Sequence, residues 1–303
     1  MSEPIPFDTT FDDPPGELRA LSPLVRRMVA GNKSPFTFTG TCTYVVGRGD
    51  VAVIDPGPAD QRHIDTLAAA LAGERVSAIV VTHTHRDHSP GARLLSALTG
   101  APIVGCGPHV SFRPRWDEEA PGLDAAGDRE HAPARILAEG DSVEGDGWSL
   151  VAVDTPGHSA NHLAFALPQE RALFSGDHVM AWSTTIVAPP DGAMAPYMAS
   201  LQKLMDRDDV VYWPGHGGPV TQPNRFVRAL MGHRRQREAS ILDRIKAGDE
   251  TIPAIVERIY EGLSPALRGA AALSVFAHIE DLVGRGAVVC EGPPLLDTRY
   301  RAA

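Results

Sequence analysis

Four side chains that can bind a metal ion fall within residues 83–88 of the chain. They are His83, His85, Asp87 and His88, and they follow an apolar run that predicts a buried strand at 78–81. In a helix the histidines would lie on different faces, whereas a loop that leaves a strand can turn them toward a common point. Imidazole nitrogen and carboxylate oxygen both suit Zn²⁺, so we expect a metal site here.

Three later segments each place a His or an Asp just beyond a predicted strand, with a glycine directly before it. These are His158 after the strand at 150–153, Asp177 after the strand at 172–174 and His216 after the strand at 210–213. Glycine permits the unusual backbone turns that such loops need. We therefore expect four loops to leave one shared sheet edge and to converge on a pocket that holds two divalent ions.

Short β-rich runs and helical stripes supply the elements that position these loops. Further strands are predicted at 36–39, 43–46, 51–54 and 163–166, and helices at 61–72, 90–98 and 194–206. The first thirty residues, rich in Pro and Asp, predict an irregular arm. The stretch 107–135, with its prolines and charges, predicts a surface loop near the site.

The pattern changes after Pro223. Helices are predicted at about 224–247, 252–262 and 265–284, and a short apolar run closes the fold at 287–289. The charge changes at the same place, because residues 1–224 carry a net charge of −12 and residues 225–303 carry +2. We predict two domains, a catalytic one at 1–222 and a helical one at 223–303.

The composition narrows the class of protein. A net charge of −10 argues against a protein that grips nucleic acid over its whole surface. No apolar run is long enough to span a bilayer, and the first four residues lack the layout of a secretory signal. The cysteines at 42, 106 and 290 lie far apart, which favours the reducing cytoplasm over a disulfide framework. We expect a cytoplasmic protein.

The order H-x-H-x-D-H, followed by His, Asp and His, resembles the metallo-β-lactamase superfamily over residues 36–216. The resemblance implies an α+β fold, a four-layer αββα sandwich with the site at one sheet edge. It implies that His83, His85 and His158 bind a first metal and that Asp87, His88 and His216 bind a second. It also implies that Asp177 bridges both ions and that Asp55 orients the ligand loop.

The same resemblance implies a dinuclear metal-dependent hydrolase in which a metal-bridged hydroxide attacks an ester, thioester or phosphodiester. Zn²⁺ is the expected ion, with Mn²⁺ and Fe²⁺ as alternatives. Asp87 would also aim the hydroxide, and His178 is a candidate proton donor to the leaving group, with a structural role as the alternative. His162 is an alternative ligand to His158, although its position inside a strand favours a hydrogen-bonded structural histidine.

Residues 233–238, which read HRRQRE, open a tail that is similar to the winged-helix extension of β-lactamase-like proteins. That group includes an endoribonuclease, so two substrates stay open: a small ester or thioester metabolite, and single-stranded RNA contacted by Arg234 and Arg235. A non-catalytic nucleic-acid-binding protein is a third hypothesis.

Cys42 stands where the group usually has Asn, and we expect a small buried thiol. Asp177 stands where the clinical two-zinc β-lactamases have Cys, which argues against antibiotic hydrolysis.

Overall fold

Two β-sheets form the larger part of the fold in the computed structural model, which describes residues 4–117, 119 and 126–303. The first sheet contains, side by side in chain order, β1 (Arg19–Ala20), β2 (Val25–Val29), β3 (Cys42–Arg48), β4 (Asp50–Ile54), β5 (Arg75–Val81), β6 (Ile103–Gly105) and β7 (Arg135–Ile136). Its strands are antiparallel from β1 to β4 and parallel from β4 to β7. The second sheet has the spatial order β12-β11-β10-β9-β8 and consists of β8 (Ser142–Gly145), β9 (Trp148–Asp154), β10 (Leu163–Leu167), β11 (Ala172–Gly176) and β12 (Val211–Pro214).

Helices cover both outer faces of the sheet pair. On the first sheet lie α1 (Gln61–Ala70) and α2 (Pro90–Thr99), and on the second lies α3 (Met194–Met205). The chain then continues through α4 (Pro223–Lys246), α5 (Ile252–Ile259), α6 (Arg268–Gly284) and an antiparallel ribbon of β13 (Val288–Cys290) and β14 (Tyr300–Ala302). Within the described ranges, no helix is long and apolar enough to cross a membrane.

Strand β10 shows how the layers form from the sequence. Its side chains alternate between two faces, as in any strand. Leu163, Phe165 and Leu167 point into the core between the two sheets, whereas Ala164 and Ala166 pack with α3 and the start of α4. Because both faces of this strand are buried, the run is apolar throughout. The predicted four-layer αββα sandwich is confirmed.

Helix α4 connects two cores. Its first half contributes Phe226 and Leu230 to the core on the outer face of the second sheet. Its second half contributes Ile241 and Ile245 to a separate core built with α5, α6 and the ribbon. The boundary predicted between residues 222 and 223 coincides with the start of this helix, and it stays a prediction because α4 packs into both cores.

The prediction of an irregular arm over the first thirty residues is wrong from Arg19 onward, because β1 and β2 lie there, whereas residues 4–18 form no helix or strand. Val25, Met28 and Val29 of β2 are fully or almost fully buried. Two arginines in the strand hid the apolar pattern. Arg27 is only 4% exposed and forms an ion pair with Asp13, and Arg26 pairs with Glu74 at 2.6 Å.

The predicted strand at 36–39 is also wrong, because the structure has turns there. The hydroxyl of Ser34 accepts hydrogen bonds from the backbone N–H groups of Phe36 and Thr37, both at 3.1 Å. Such local side-chain acceptors compete with strand pairing. The turn leaves the Phe36 side chain 54% exposed.

The core between the sheets gives a stability prediction. Phe165→Ala should lower the free energy of unfolding by about 3–5 kcal/mol, because it leaves a cavity where a fully buried ring stood. Ile136→Ala in the edge strand β7, where the side chain is 59% exposed, should change it by less than about 0.5 kcal/mol. Urea titration followed by circular dichroism measures both, and equal losses would contradict this packing.

Candidate metal centre

The predicted ligands lie in four loops that follow β5, β9, β11 and β12. The loop after β5 supplies four of them, and the other three loops supply one each. The structure brings all seven together: His83, His85, Asp87, His88, His158, Asp177 and His216. Six of these side chains are largely or fully buried, and Asp87 remains 27% exposed.

The first group is formed by three histidines. His85 Nδ1 lies 3.1 Å from His83 Nε2 and 2.9 Å from His158 Nε2. The three nitrogens therefore point at one another across a small space. Imidazole nitrogens at such distances leave room for a cation that accepts all three lone pairs.

The second group combines two histidines with a carboxylate. His216 Nε2 lies 3.1 Å from Asp87 Oδ2 and 3.3 Å from His88 Nε2. His88 Nε2 is 3.5 Å from the same Asp87 oxygen. This group offers two nitrogens and one oxygen, which suits a second divalent ion.

Asp177 lies between the two groups. Its Oδ2 is 3.7 Å from His158 Nε2 and 3.3 Å from His216 Nε2, and its Oδ1 is 3.5 Å from His88 Nε2. Oδ1 is buried and accepts no hydrogen bond from the described residues. A buried carboxylate oxygen without a partner costs free energy, and a cation would supply the missing partner. The residues therefore fit a pair of divalent ions.

In each of the five histidines, the outer ring nitrogen, which faces away from the cluster, donates a hydrogen bond. The acceptors are Thr82 Oγ1 for His83 (2.9 Å), Asp191 Oδ2 for His85 (2.8 Å), Asp55 Oδ2 for His88 (2.9 Å), the Ile186 carbonyl for His158 (2.7 Å) and the Gly40 carbonyl for His216 (3.2 Å). An outer N–H that donates a hydrogen bond leaves the inner nitrogen with a free lone pair. The protein thus fixes both the tautomer and the direction of every imidazole.

Asp55 holds the ligand loop against the end of β5. Its Oδ1 accepts the backbone N–H of Thr82 at 2.8 Å, and its Oδ2 accepts the Thr82 hydroxyl at 2.6 Å and His88 Nδ1–H at 2.9 Å. Asp55 has a positive φ of 47°, which is unusual for a residue other than glycine. These three hydrogen bonds offset that backbone cost and position the loop as the resemblance implies.

Asp191, which orients His85, was missed by the sequence analysis. It lies in the loop before α3 and is 6% exposed. No spacing pattern links it to the histidines. The available signal is chemical: each metal-binding imidazole needs an acceptor for its outer N–H, so the carboxylates of nearby loops are candidates.

Charges within the cluster shift the pKa values strongly. Burial raises the pKa of Asp177, but the charges of His216 and His88 outweigh burial and hold that pKa well below its usual range. Burial lowers the pKa of His216, but Asp177 and Asp87 outweigh it and raise the pKa to about 9. Burial and His85 lower the pKa of His158 to about 4. The carboxylates thus stay ionised and attract positive charge to the second group.

Two further histidines have structural surroundings. His162 Nδ1 is 2.8 Å from Thr155 Oγ1, and its Nε2 accepts the backbone N–H of Asp177 at 3.2 Å, so neither nitrogen is directed at the cluster. His178 is fully buried beside Tyr197, and burial lowers its pKa to about 3. A neutral imidazole keeps one N–H, which is a far weaker acid than an imidazolium, and this argues against the proton-donor role considered for His178.

Arg234 of α4 links the tail to the site by a hydrogen bond. The RNA hypothesis had placed this arginine on a binding surface. Arg234 is 2% exposed, and its Nη2 donates to the Thr185 carbonyl. The Thr185 hydroxyl in turn donates to the backbone carbonyl of Asp177 at 2.7 Å. Arg235 remains exposed.

The Cys42 thiol is buried, as expected, and burial raises its pKa to about 11.

A cavity of about 290 Å³ opens onto the cluster. Its reactive side carries His85, Asp87, His158, Asp177, Asp191 and His216. Its other walls are apolar and include Phe36, Met180, Ile186 and Leu273. Leu273 comes from α6, so the tail contributes to the wall of this cavity.

Comparison with known proteins agrees with this geometry. A family model described as the metallo-beta-lactamase superfamily matches residues 36–216, and a model described as the beta-lactamase associated winged helix domain matches residues 251–293. The second match covers α5, α6 and β13 and confirms the winged-helix-like tail. The fold family implies divalent metals.

Individual relatives cover most of the chain. The Beta-lactamase-like protein 2 homolog of Caenorhabditis elegans is 31% identical over 276 residues, which are 89% of this chain and 88% of the relative. The Atrochrysone carboxyl ACP thioesterase of Aspergillus fumigatus is 30% identical over 234 residues, which are 75% of this chain and 66% of the relative. A crystal structure of a metallo-beta-lactamase family protein from Thermus thermophilus superposes with a TM-score of 0.73 at 25% identity and covers 94% of this chain and 100% of that chain.

The Asp191–His85 hydrogen bond gives a prediction about metal affinity. Asp191→Ala should weaken Zn²⁺ binding by about tenfold to a hundredfold, because the His85 ring loses the acceptor that directs it. Competition with a chromophoric chelator measures the dissociation constant. Glu291→Ala, at a side chain that is 99% exposed, is the control and should leave it unchanged. Equal affinity in the Asp191 variant would contradict the orienting role.

Proposed function

The chain belongs to the metallo-β-lactamase superfamily and is a metal-dependent hydrolase, and on this basis we propose that it is a dinuclear zinc enzyme that hydrolyses esters and thioesters of small acyl groups. One observation carries the proposal. The converging ligands open onto a cavity whose remaining walls are apolar and uncharged. Such walls suit an acyl group better than a chain of phosphates.

The proposed ligand sets follow the two groups of donors. His83, His85 and His158 would hold one zinc ion, and Asp87, His88 and His216 would hold the other. Asp177 contacts both groups and would be shared between the ions. Nitrogen and oxygen donors of this kind suit zinc, although Mn²⁺ and Fe²⁺ share the preference in part.

A pair of bound divalent ions supplies a water of lowered pKa and an electrophile that polarises the attacked carbonyl. The protein supplies the rest. Asp87 is the most exposed carboxylate of the cluster, although most of its side chain is buried. Burial raises its pKa, but the charges of His88 and His216 outweigh burial and hold that pKa well below its usual range. Its ionised oxygens therefore accept a hydrogen bond from the attacking water and aim it at the acyl carbon.

The overall reaction balances with water alone. The water oxygen forms a new bond to the acyl carbon, and the bond from that carbon to sulfur or to the ester oxygen breaks. One proton of the water goes to the leaving thiol or alcohol, the other goes to solvent, and the acyl group leaves as a carboxylate. A thiol is a good leaving group at neutral pH, so the thioester reaction does not need His178 as a proton donor.

A relative supports the thioester assignment. The Aspergillus fumigatus protein, at 30% identity, is called a thioesterase. That name describes an ACP thioesterase, and we carry over the bond type alone. We propose that the reaction takes place in the cytoplasm, and the free thiols of Cys42, Cys106 and Cys290 support this compartment.

Endoribonuclease activity on single-stranded RNA is the second candidate, favoured by the winged-helix match at residues 251–293. Two observations weigh against it. No Lys or Arg lines the cavity among the residues that the structure describes. Arg234 is buried against Thr185 and cannot reach a phosphate. A non-catalytic nucleic-acid-binding protein is less well supported, because the ligand set is complete.

Asp87 gives the mechanistic prediction. Asp87→Ala should lower kcat/KM for an acyl thioester by about 10²–10⁴-fold, because the attacking water loses the carboxylate that aims it. Steady-state kinetics with a thiol-detecting dye measures the loss. Asp208→Ala, at a side chain that is 91% exposed, is the control. An Asp87 variant that keeps its fold, by circular dichroism, and its full activity would reject the mechanism.

The two substrate classes can be separated directly. Zinc-loaded protein should release thiol from acetyl and longer acyl thioesters and should leave labelled single-stranded RNA intact at low salt. RNA cleavage without thioester turnover would replace the proposed function by the endoribonuclease.

A further inference from the structure

A second cavity, of about 220 Å³, lies between the two domains. The larger domain contributes the segment 180–186 and the turn around Phe36 to its walls. The tail contributes α6 and the residues before it, including Leu263 and Leu267. We refer to this cavity as the interdomain groove.

The groove adjoins the reactive cavity and shares walls with it. Phe36, Met180 and Ile186 line both. On α6, Leu273 faces the reactive cavity and its neighbour Ser274 faces the groove. A molecule whose acyl carbon lies beside the metal ligands can therefore extend past these shared walls into the space between the domains.

The walls of the groove are largely apolar. No Asp, Glu, Lys or Arg is found among its described lining residues, and the polar side-chain groups present are hydroxyls of Ser and Thr and of Tyr260 and the indole N–H of Trp182. Small side chains of α6, Ala270 and Ala271 among them, keep the space open. Phe36, which is 54% exposed, forms an aromatic wall at the junction of the two cavities. Uncharged walls of this kind favour an apolar chain over a nucleotide or a charged peptide.

We propose that the interdomain groove binds the apolar chain of the acyl group, so that the enzyme selects medium- or long-chain acyl thioesters. This inference rests on the proposed function and adds the substrate class to it. The acyl carbon lies at the metal ligands, the chain passes Phe36 and Met180, and its end lies against Leu263 and Leu267. The winged-helix tail then acts as a wall of the substrate site.

Chain length is the variable that tests the groove. Zinc-loaded full-length protein is assayed with straight-chain acyl thioesters of N-acetylcysteamine, from acetyl to decanoyl. Each buried methylene is worth about 0.8 kcal/mol, so kcat/KM should rise by about threefold to fourfold per methylene until the groove is full. A parallel series of acetyl thioesters of alkyl thiols should show no such rise.

A matched pair of variants locates the effect. Ala270→Phe places a ring in the groove and should lower the ratio of decanoyl to acetyl kcat/KM by about tenfold or more. Gly269→Phe places the same ring at the preceding position of α6, where a side chain meets open space, and should keep the wild-type ratio. Ser274→Phe is a second filling variant if Ala270→Phe does not fold.

The outcomes separate the inference from the proposed function. If all thioesters are hydrolysed with the same kcat/KM, or if kcat/KM rises only with the length of the alkyl thiol, the groove does not bind the acyl chain. The proposed hydrolase function would stand in either case. An unchanged ratio in a folded Ala270→Phe protein would lead to the same conclusion. If no thioester is hydrolysed, the proposed function fails. The groove is then tested by titration calorimetry, which compares the affinity of the protein for decanoate with its affinity for acetate. Binding that depends on chain length and is lost in Ala270→Phe would retain the groove as an apolar-ligand site, and its absence would reject both.

Discussion

Burying Asp87 and Asp177 among five histidines costs free energy unless positive charge lies between them. In the absence of metal, protons on the second group of histidines supply that charge, as the raised pKa of His216 indicates. Divalent ions supply it more fully and also satisfy the orphaned Asp177 Oδ1. The surrounding hydrogen bonds serve this one requirement. They hold each outer ring nitrogen so that the inner nitrogens converge on the space where a cation would lie.

The winged-helix tail is connected to this centre in two ways. Arg234 donates from α4 to the Thr185 carbonyl, and the Thr185 hydroxyl donates to the backbone carbonyl of Asp177, so the backbone of this site residue is linked to α4. Helix α6 also supplies walls to the reactive cavity and to the groove beside it. In the proposed function the tail forms a wall of the substrate site, and the burial of Arg234 away from solvent agrees with that role.

Much of the centre was predictable because its signals are local. The ligand types, their spacing in residues 83–88 and their positions after apolar strands are all visible in one chain. The hydrogen-bond partners of the ligands were not predictable, because they depend on tertiary contacts. Asp191, for example, contacts His85 across more than a hundred residues of sequence. Strand β2 was not predicted because it contains two arginines, and a sequence pattern assigns arginine to the surface. In the structure these arginines form ion pairs with Asp13 and Glu74. The groove forms only when the two domains pack.

The central claim is that seven side chains hold two cations at fixed places. Anomalous diffraction from zinc-loaded crystals, collected on both sides of the zinc edge, tests it most directly. The account predicts two peaks per chain, one contacting His83, His85 and His158, the other contacting Asp87, His88 and His216, with Asp177 touching both. A single peak, or peaks away from these residues, would contradict it.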